Sequence, residues 1–205
     1  SSTVMIQPGA AVIIEDHAWV GNFCEISALG TVRIGKGTSI QHRSQIHGEV
    51  DIGRGCVCAA NLYVASTSHR YKDTPYLPIR WQDQAAKSRG KLFRSRPVII
   101  EDDCWIGTNV VICPGVTVRK GSIIGANAVV TKDTLPYSVQ AGVPAQSIQQ
   151  RLKFIPPKKL KAGCTEDLPY FYSGFELPQT VEGLMQGCPM GYPVESKFAL
   201  ALYID

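Results

Sequence analysis

The sequence lacks several features that would assign it to a common class of protein. No stretch approaches the roughly 20 consecutive apolar residues of a membrane-spanning helix, so we expect no membrane span. No positively charged segment followed by an apolar one opens the sequence, so we expect no secretory signal. None of the seven cysteines forms a CxxC pair, and the odd count argues against a complete disulfide framework. Together these absences favour a protein of the reducing cytoplasm.

What the sequence does contain is a repeat. The decapeptide IIEDHAWVGN at residues 13–22 returns as IIEDDCWIGT at residues 99–108, with six of the ten positions identical. Around both copies an aliphatic or other apolar residue recurs every six positions, with a slip of two residues after Ile26. The series runs through Ile14, Val20, Ile26, Ile34, Ile40, Ile46, Ile52, Cys58 and Val64, and again through Ile100, Ile106, Ile112, Val118, Ile124 and Val130.

A period of six predicts an unusual backbone. It fits neither an amphipathic helix, which repeats at about 3.6 residues, nor a single long strand, which repeats at two. It fits short strands separated by tight bends, and such stacked coils predict a solenoid in which each unit buries its core against its neighbours. Cys24, Cys56 and Cys104 fall on a small inward position, where a free cysteine acts as a small hydrophobic residue. The two decapeptides are then expected at equivalent corners of the coils.

The repeats resemble those of the hexapeptide-repeat acyltransferase superfamily. Residues 98–148 carry WIG, PGV, IGA, VVTKD and AGVPA in the order found in galactoside, maltose and bacterial polysaccharide O-acetyltransferases. The resemblance implies an all-β fold, a left-handed parallel β-helix that we place at residues 1–150. Within it, residues 70–97 are predicted to form a long inserted basic loop. Residues 151–205, rich in aromatic residues and proline, are predicted to form an irregular C-terminal extension.

The resemblance also implies an activity. In that superfamily acetyl-CoA donates an acetyl group while a histidine deprotonates the acceptor, and His69 stands where the family carries this histidine. Histidine suits the task because its ordinary pKa of about 6.5 leaves it neutral near pH 7. We therefore predict an acetyl-CoA-dependent O-acetyltransferase with His69 as general base and a saccharide hydroxyl as acceptor. An amino-sugar N-acetyltransferase is the alternative, and family active sites between subunits imply a homotrimer.

Further site residues follow from the same resemblance. Asn61, eight residues before the histidine, and Trp105 match residues on the acceptor side, although Trp105 has a purely structural alternative as a corner residue like Trp19. Thr67 and Ser68 precede His69 where many relatives carry an aspartate, so the group that orients the imidazole stays open. Positions matching the family's coenzyme groove are Thr108, Ala126, Thr131 and Lys132, with Arg151 in place of an arginine that relatives carry after AGVPA.

The interruption at residues 70–97 departs most from the repeat. It holds eight basic and two acidic residues, a net formal charge of +6, which exceeds the +4 of the whole chain. A loop of this length is usually functional or disordered. Its aromatic residues Tyr71 and Trp81 would stack on a sugar ring, and its charge favours an anionic acceptor. The pattern matches no nucleic-acid-binding module, so we expect no nucleic acid partner.

Two other classes of protein share the predicted fold. The γ-type carbonic anhydrases bind zinc through three histidines, and His42 and His47 have a suggestive spacing. Residues 98–148, however, contain no histidine where that family needs ligands, so we expect no metal. A non-catalytic solenoid used for assembly is the third reading, and the VVTKD and Trp105 matches argue against it.

Overall fold

The structure, a computed structural model, describes residues 1–90 and 94–151 and consists almost entirely of short β-strands. Except for Arg151, the predicted C-terminal extension lies outside the described residues. In chain order the elements are β1 (Thr3–Ile6), β2 (Ala11–Ile14), β3 (Trp19–Val20), β4 (Glu25–Ile34), β5 (Ser39–Ile40), β6 (Gln45–Ile52), β7 (Val57–Cys58), β8 (Tyr63–Ala65), β9 (Thr67–Ser68), α1 (Ile79–Lys87), β10 (Arg94–Ser95), β11 (Val98–Ile100), β12 (Trp105–Ile106), β13 (Val111–Ile112), β14 (Thr117–Val118), β15 (Ile123–Ile124), β16 (Val129–Val130), β17 (Ser138–Ala141) and β18 (Gln146–Gln150).

Parallel pairing arranges these strands in stacked coils, so the predicted parallel β-helix is confirmed. One sheet runs in the order β1, β4, β6, β8, β13 and β16, with β2, β11 and β14 attached to it. The other sheet runs β3, β5, β7, β12, β15 and β17. Strand β18 pairs with β17 in the antiparallel sense at the end of this sheet. Within the described residues no helix has both the length and the apolar character of a membrane-spanning segment.

The core consists of the residues that recur every six positions. From Ile26 to Val130 the members of the series are at most 2% exposed. Complete burial of such a side chain stabilises the fold by about 1.5–3 kcal/mol. The slip of two residues is a register shift between β4 and β6, because Ala28 pairs with Gly48 but Val32 pairs with Val50. The series therefore predicted both the inward positions and the place where two extra residues are accommodated.

Ile14 pairs in register with the buried Ile34, as the series predicts, but it is not itself buried. This side chain is 50% exposed, because β2 pairs with β4 along one edge only. Strand β11, at the equivalent place in a later coil, pairs with β6 on one side and β14 on the other, and Ile100 is fully buried. The same position of the two decapeptides thus differs in burial because Ile100, unlike Ile14, lies on a strand that is paired on both sides.

The corners of the coils use left-handed backbone conformations. Asparagine is one of the few residues that adopt this conformation readily, and Asn61, Asn109 and Asn127 have φ values of 60°, 56° and 59°. These three side chains form a ladder along one corner. The Asn61 amide donates to Asn109 at 2.8 Å, and the Asn109 amide donates to Asn127 at 3.0 Å.

The interruption at residues 70–97, predicted as a long inserted basic loop, contains regular secondary structure. Its ends are joined by β9 and β10, which pair in the antiparallel sense, and its middle is the helix α1. Pro78 precedes the helix, where a missing N–H costs nothing. Gln82 and Ala86, four residues apart, form the buried face of the helix. The net charge of the segment does not indicate a helix. The periodicity of apolar residues is also incomplete, because one of the two buried residues is polar.

The cysteines among the described residues are free thiols. Cys24, Cys56 and Cys104 are at most 2% exposed and occupy the small inward position, as predicted.

Candidate active site

His69 lies where the chain leaves the solenoid. It follows β9 directly, and because β9 pairs with β10, the insertion begins at this histidine and returns close to it. The His69 side chain is 71% exposed. In the same coil Leu62 and Val64 are buried in the core, whereas the His69 imidazole lies at the surface.

A carboxylate holds one nitrogen of this imidazole. Nδ1 of His69 lies 2.7 Å from Oδ2 of Asp83, and the Arg70 backbone N–H donates to Oδ1 of Asp83 at 3.0 Å. The Arg70 N–H, and after it the His69 imidazole, lower the pKa of the Asp83 carboxyl below its usual value. The carboxylate is therefore ionised at neutral pH, and each of its two oxygens has a hydrogen-bond partner.

The insertion fixes the position of Asp83 through its own contacts. Gln82, the preceding residue of α1, accepts a hydrogen bond from the Thr74 backbone N–H at 3.1 Å and donates one to the Leu77 carbonyl at 2.8 Å. The Gln82 side chain is buried, so these bonds are shielded from water. They attach α1 to the segment between His69 and the helix, and this attachment places Asp83 beside the imidazole.

Sequence reasoning missed Asp83. It left open which group orients the imidazole, and the structure answers with a residue fourteen positions downstream on α1. A signal was present, because Asp83 is one of only two acidic residues among eight basic ones in the interruption. The other acidic residue, Asp73, forms an ion pair with Arg70 at 2.7 Å and does not serve the histidine.

The residues predicted to bind the cofactor divide between two corners of the solenoid. Thr108 and Ala126 precede β13 and β16, whereas Thr131 and Lys132 follow β16. Because β8, β13 and β16 are stacked, His69 shares its corner with the second pair. The Thr108 hydroxyl donates to a backbone carbonyl of the preceding coil at 2.9 Å, whereas the other three side chains are exposed. One protomer thus does not bring all four residues to the histidine.

Arg151 has a different partner from the predicted coenzyme phosphate. Its Nη1 donates to Oδ2 of Asp103 at 2.7 Å and also contacts the carbonyls of Asp103 and Gly121. The guanidinium is only 22% exposed in this ion pair. The Arg151 side chain thus fastens the end of β18 to the corner that carries Asp103, and its assignment to the cofactor stays a prediction.

The residues predicted for the acceptor are also spread over the molecule. Tyr71 and Trp81 are exposed and lie in the insertion with His69, and Nζ of Lys72 sits 5.3 Å from the centre of the Tyr71 ring. Asn61 belongs to the asparagine ladder, at the other end of β8 from the histidine. Trp105 begins β12 in the other sheet, where its indole is exposed. Of these four residues, Tyr71 and Trp81 are the two that lie in the insertion that begins at His69.

The surface of the insertion is positively charged. Both of its acidic side chains lie within 2.7 Å of a cationic or imidazole partner, Asp73 with Arg70 and Asp83 with His69. Lys72, Arg80, Lys87 and Arg89 are all exposed on the same insertion. An anionic molecule that approaches His69 therefore meets an excess of positive charge.

The histidines of the zinc alternative have other partners. Nδ1 of His42 accepts a hydrogen bond from the Asn22 backbone N–H at 2.9 Å, and the His42 ring packs edge-on against Trp19. The His47 ring lies 5.6 Å from that of Tyr63. Across residues 1–90 and 94–151, no three histidine, cysteine or acidic side chains come together as a metal site.

Comparisons with known proteins agree with the repeat. Residues 31–66 and 97–132 match the family described as the hexapeptide repeat of succinyl-transferase. A galactoside O-acetyltransferase of Escherichia coli strain K12 is 32% identical over 139 residues, which are 67% of this chain and 63% of that protein. A chloramphenicol acetyltransferase of Escherichia coli is 35% identical over 103 residues, covering 49% of this chain and 48% of that one.

Solved structures give the same result for the fold. The crystal structure of a hexapeptide-repeat-containing acetyltransferase from Vibrio cholerae superposes with a TM-score of 0.51 and 27% sequence identity. The superposition covers 71% of this chain and 75% of that chain. The chain spans between about half and just under two thirds of the length of the two curated relatives.

Proposed function

The chain belongs to the hexapeptide-repeat acyltransferase superfamily, and from that premise we propose that it transfers an acetyl group from acetyl-CoA to a saccharide hydroxyl. One observation carries the proposal: the exposed imidazole of His69, paired with a carboxylate at the point where the insertion leaves the solenoid. Acyl transfer to a hydroxyl needs a general base of this kind, and such a base typically contributes about 10²–10⁴-fold to the rate.

The proposed reaction is a direct transfer. Nε2 of His69 takes the proton of the acceptor hydroxyl as its oxygen attacks the thioester carbonyl carbon. The tetrahedral intermediate then collapses, the carbon–sulfur bond breaks, and the imidazolium returns its proton to the leaving thiolate. The products are the acetyl ester and free CoA, so no proton is gained or lost overall. Backbone N–H groups near a corner would stabilise the oxyanion.

The cofactor residues lead us to propose an assembly of three copies. Thr108 and Ala126 lie at one corner of a protomer and His69 at another, so a single protomer does not join them. In a homotrimer, the coenzyme groove of one protomer faces His69 of its neighbour. Ala126, which is exposed and small, lets pantetheine approach the backbone there. Lys132 meets a phosphate as a point charge.

The acceptor is proposed to be an anionic saccharide, either a polysaccharide or a sugar precursor. The exposed lysine and arginine side chains of the insertion attract negative charge, and Tyr71 and Trp81 offer exposed aromatic faces to a sugar ring. An amino sugar would use the same base, with an amide as the product. We place the enzyme in the cytoplasm, which suits the buried free thiols of Cys24, Cys56 and Cys104.

The test begins with the donor, because the acceptor is unidentified. Calorimetric titration with acetyl-CoA is expected to show saturable binding of about one molecule per chain. An acceptor screen then offers galactosides, chloramphenicol, an amino sugar and sugars that carry phosphate or carboxylate groups. We expect His69→Ala to bind acetyl-CoA as the parent does while kcat falls by about 10²–10⁴-fold.

His47→Ala is the matched control, because His47 lies outside the insertion against Tyr63 and is expected to keep its activity. Absence of acetyl-CoA binding up to millimolar concentration would overturn the proposed activity. Near-normal turnover by His69→Ala would overturn the base assignment alone.

A further inference from the structure

We propose that Asp83, which lies on the inserted helix α1, is the positioning residue that sets the tautomer of His69. This inference rests on the proposed function, in which His69 is the base. Asp83 would touch neither acetyl-CoA nor the acceptor, and would act through the imidazole.

The hydrogen-bond pattern determines which ring nitrogen carries the proton. Oδ1 of Asp83 accepts the Arg70 backbone N–H, which can only donate, so Oδ2 is the oxygen that faces Nδ1 of His69. An ionised carboxylate can only accept hydrogen bonds. Nδ1 must therefore be the donor, and in the neutral ring the proton resides there. Nε2 is then the basic nitrogen, as the proposed reaction requires.

The insertion delivers this carboxylate from outside the repeat. The two strand residues before the histidine, Thr67 and Ser68, carry no carboxylate. Asp83 reaches the ring from α1, and α1 is attached to the segment after His69 through both polar atoms of the buried Gln82 side chain. A base on a regular solenoid thus obtains its orienting group from an added element.

The substitution Asp83→Asn is predicted to impose the wrong tautomer. The Arg70 backbone N–H still needs an acceptor, so the amide oxygen of an asparagine would face it. The amide NH₂ group would then point at Nδ1 of His69, which must become an acceptor. The ring proton then resides on Nε2, the nitrogen that has to take the proton of the attacking saccharide hydroxyl. The ring therefore no longer works as a base.

The experiment compares Asp83→Asn with Asp73→Asn, a matched change in the same insertion. Asp73 also forms an ion pair at 2.7 Å, but with Arg70, so its loss tests damage to the insertion without loss of the histidine contact. We expect Asp83→Asn to lower kcat by about 10²–10³-fold while the KM values for donor and acceptor change by less than about threefold. Asp73→Asn is expected to keep kcat within about threefold of the parent.

A second measurement reports on the ring without activity. In ¹⁵N–¹H spectra of the imidazole groups, with His69→Ala used for assignment, the neutral His69 ring should carry its proton on Nδ1. In Asp83→Asn the ring should carry its proton on Nε2. In Asp73→Asn the ring should carry its proton on Nδ1, as in the parent. Asp83→Glu, which keeps an acceptor-only carboxylate, is expected to retain the parental tautomer and more activity than Asp83→Asn.

The outcomes separate this inference from the proposed function. An unchanged tautomer in Asp83→Asn, or an equal loss of kcat in both asparagine variants, would overturn the positioning role of Asp83. The role of His69 as the base would still be tested independently by His69→Ala. A tautomer switch in a protein that neither binds acetyl-CoA nor turns over any acceptor would support the positioning contact and overturn the proposed function.

Discussion

The two decapeptides IIEDHAWVGN and IIEDDCWIGT form the same corner of the solenoid in two different surroundings. Glu15 in the first copy bonds Nη1 of Arg33 in the next coil at 2.8 Å, and Glu101 in the second bonds Nη1 of Arg119 at 3.0 Å. The second carboxylate oxygen of each glutamate accepts a backbone N–H of that next coil, at 2.9 Å and 2.7 Å respectively. The shared glutamate therefore makes the same contacts in both copies, and the copies differ through substituted positions, such as Asp103 in place of His17, and through their neighbours.

The neighbours differ most at the tryptophan of each copy. Trp19 packs edge-on against the ring of His42 at 5.7 Å, and His42 also lies beside Gly21. At the second corner, the residue in the position of His42 is Ala126, whose backbone N lies 2.6 Å from where a Cβ on Gly107 would be. The imidazole ring of His42 fills the first corner, whereas the small methyl side chain of Ala126 leaves the second corner open. That open corner carries a residue predicted to contact the coenzyme.

The largest expected difference between the copies is in the core. Ile100→Ala removes a side chain that is 0% exposed and lies between coils on both sides. The substitution leaves a cavity there and should destabilise the protein by about 2–5 kcal/mol. Ile14→Ala, at a side chain that is 50% exposed, should lower the stability by about 1 kcal/mol or less. Urea unfolding of both variants measures the difference. Equal losses would show that the end coil is covered in solution.

The core was predictable because every coil uses the same positions. Ile40, Ile46 and Ile106 repeat one geometry, so a single period in the sequence reveals them all. The asparagine ladder was also within reach: Asn109 and Asn127 are 18 residues apart, which is three periods of six. Local repetition gives a signal that grows with the number of coils.

The orienting carboxylate was not predictable in this way. Asp83 is placed by a single helix, and that helix docks through Gln82, a polar side chain whose partners are backbone groups. No periodicity marks such a contact, because it occurs once. His69 and Arg151 were both assigned through resemblance to a family, and a resemblance does not show which protein groups a side chain contacts. For Arg151 the resemblance implies a coenzyme phosphate, and the structure adds an ion pair with Asp103 that the sequence did not reveal.

A smaller expected effect comes from exchanging the two corners. Ala126→His would place at the second corner the ring that the first corner already accommodates, so the fold should tolerate it. The ring would occupy the space that we propose for pantetheine. We expect the Kd for acetyl-CoA to rise at least tenfold, about 1.4 kcal/mol, with little change in melting temperature. The reciprocal change, His42→Ala, is the control and should leave acetyl-CoA affinity unchanged. Undiminished affinity in Ala126→His would remove this corner from the coenzyme site.

The smallest expected effect concerns the contact that the copies share. The Arg33 guanidinium, and after it the Lys36 backbone N–H, hold the pKa of the Glu15 carboxyl below its usual value. Such a carboxyl stabilises the fold above its unfolded pKa of about 4.3, and this stabilisation is lost as the pH falls through the folded value. Glu15→Gln should therefore lower the melting temperature slightly at neutral pH, and the gap to the parent should close on acidification.

Glu101→Gln tests whether that contact is local. Glu15 and Glu101 are each 33% exposed and make the same two hydrogen bonds, so the two substitutions should lower the melting temperature at neutral pH equally. This equality would contrast with the isoleucine pair, because an exposed ion pair depends on its immediate partners whereas a core side chain depends on the coils above and below. A much larger loss for Glu101→Gln would mean that the corner of the second copy transmits strain to the neighbouring coils, and that the decapeptide does not act as an independent unit.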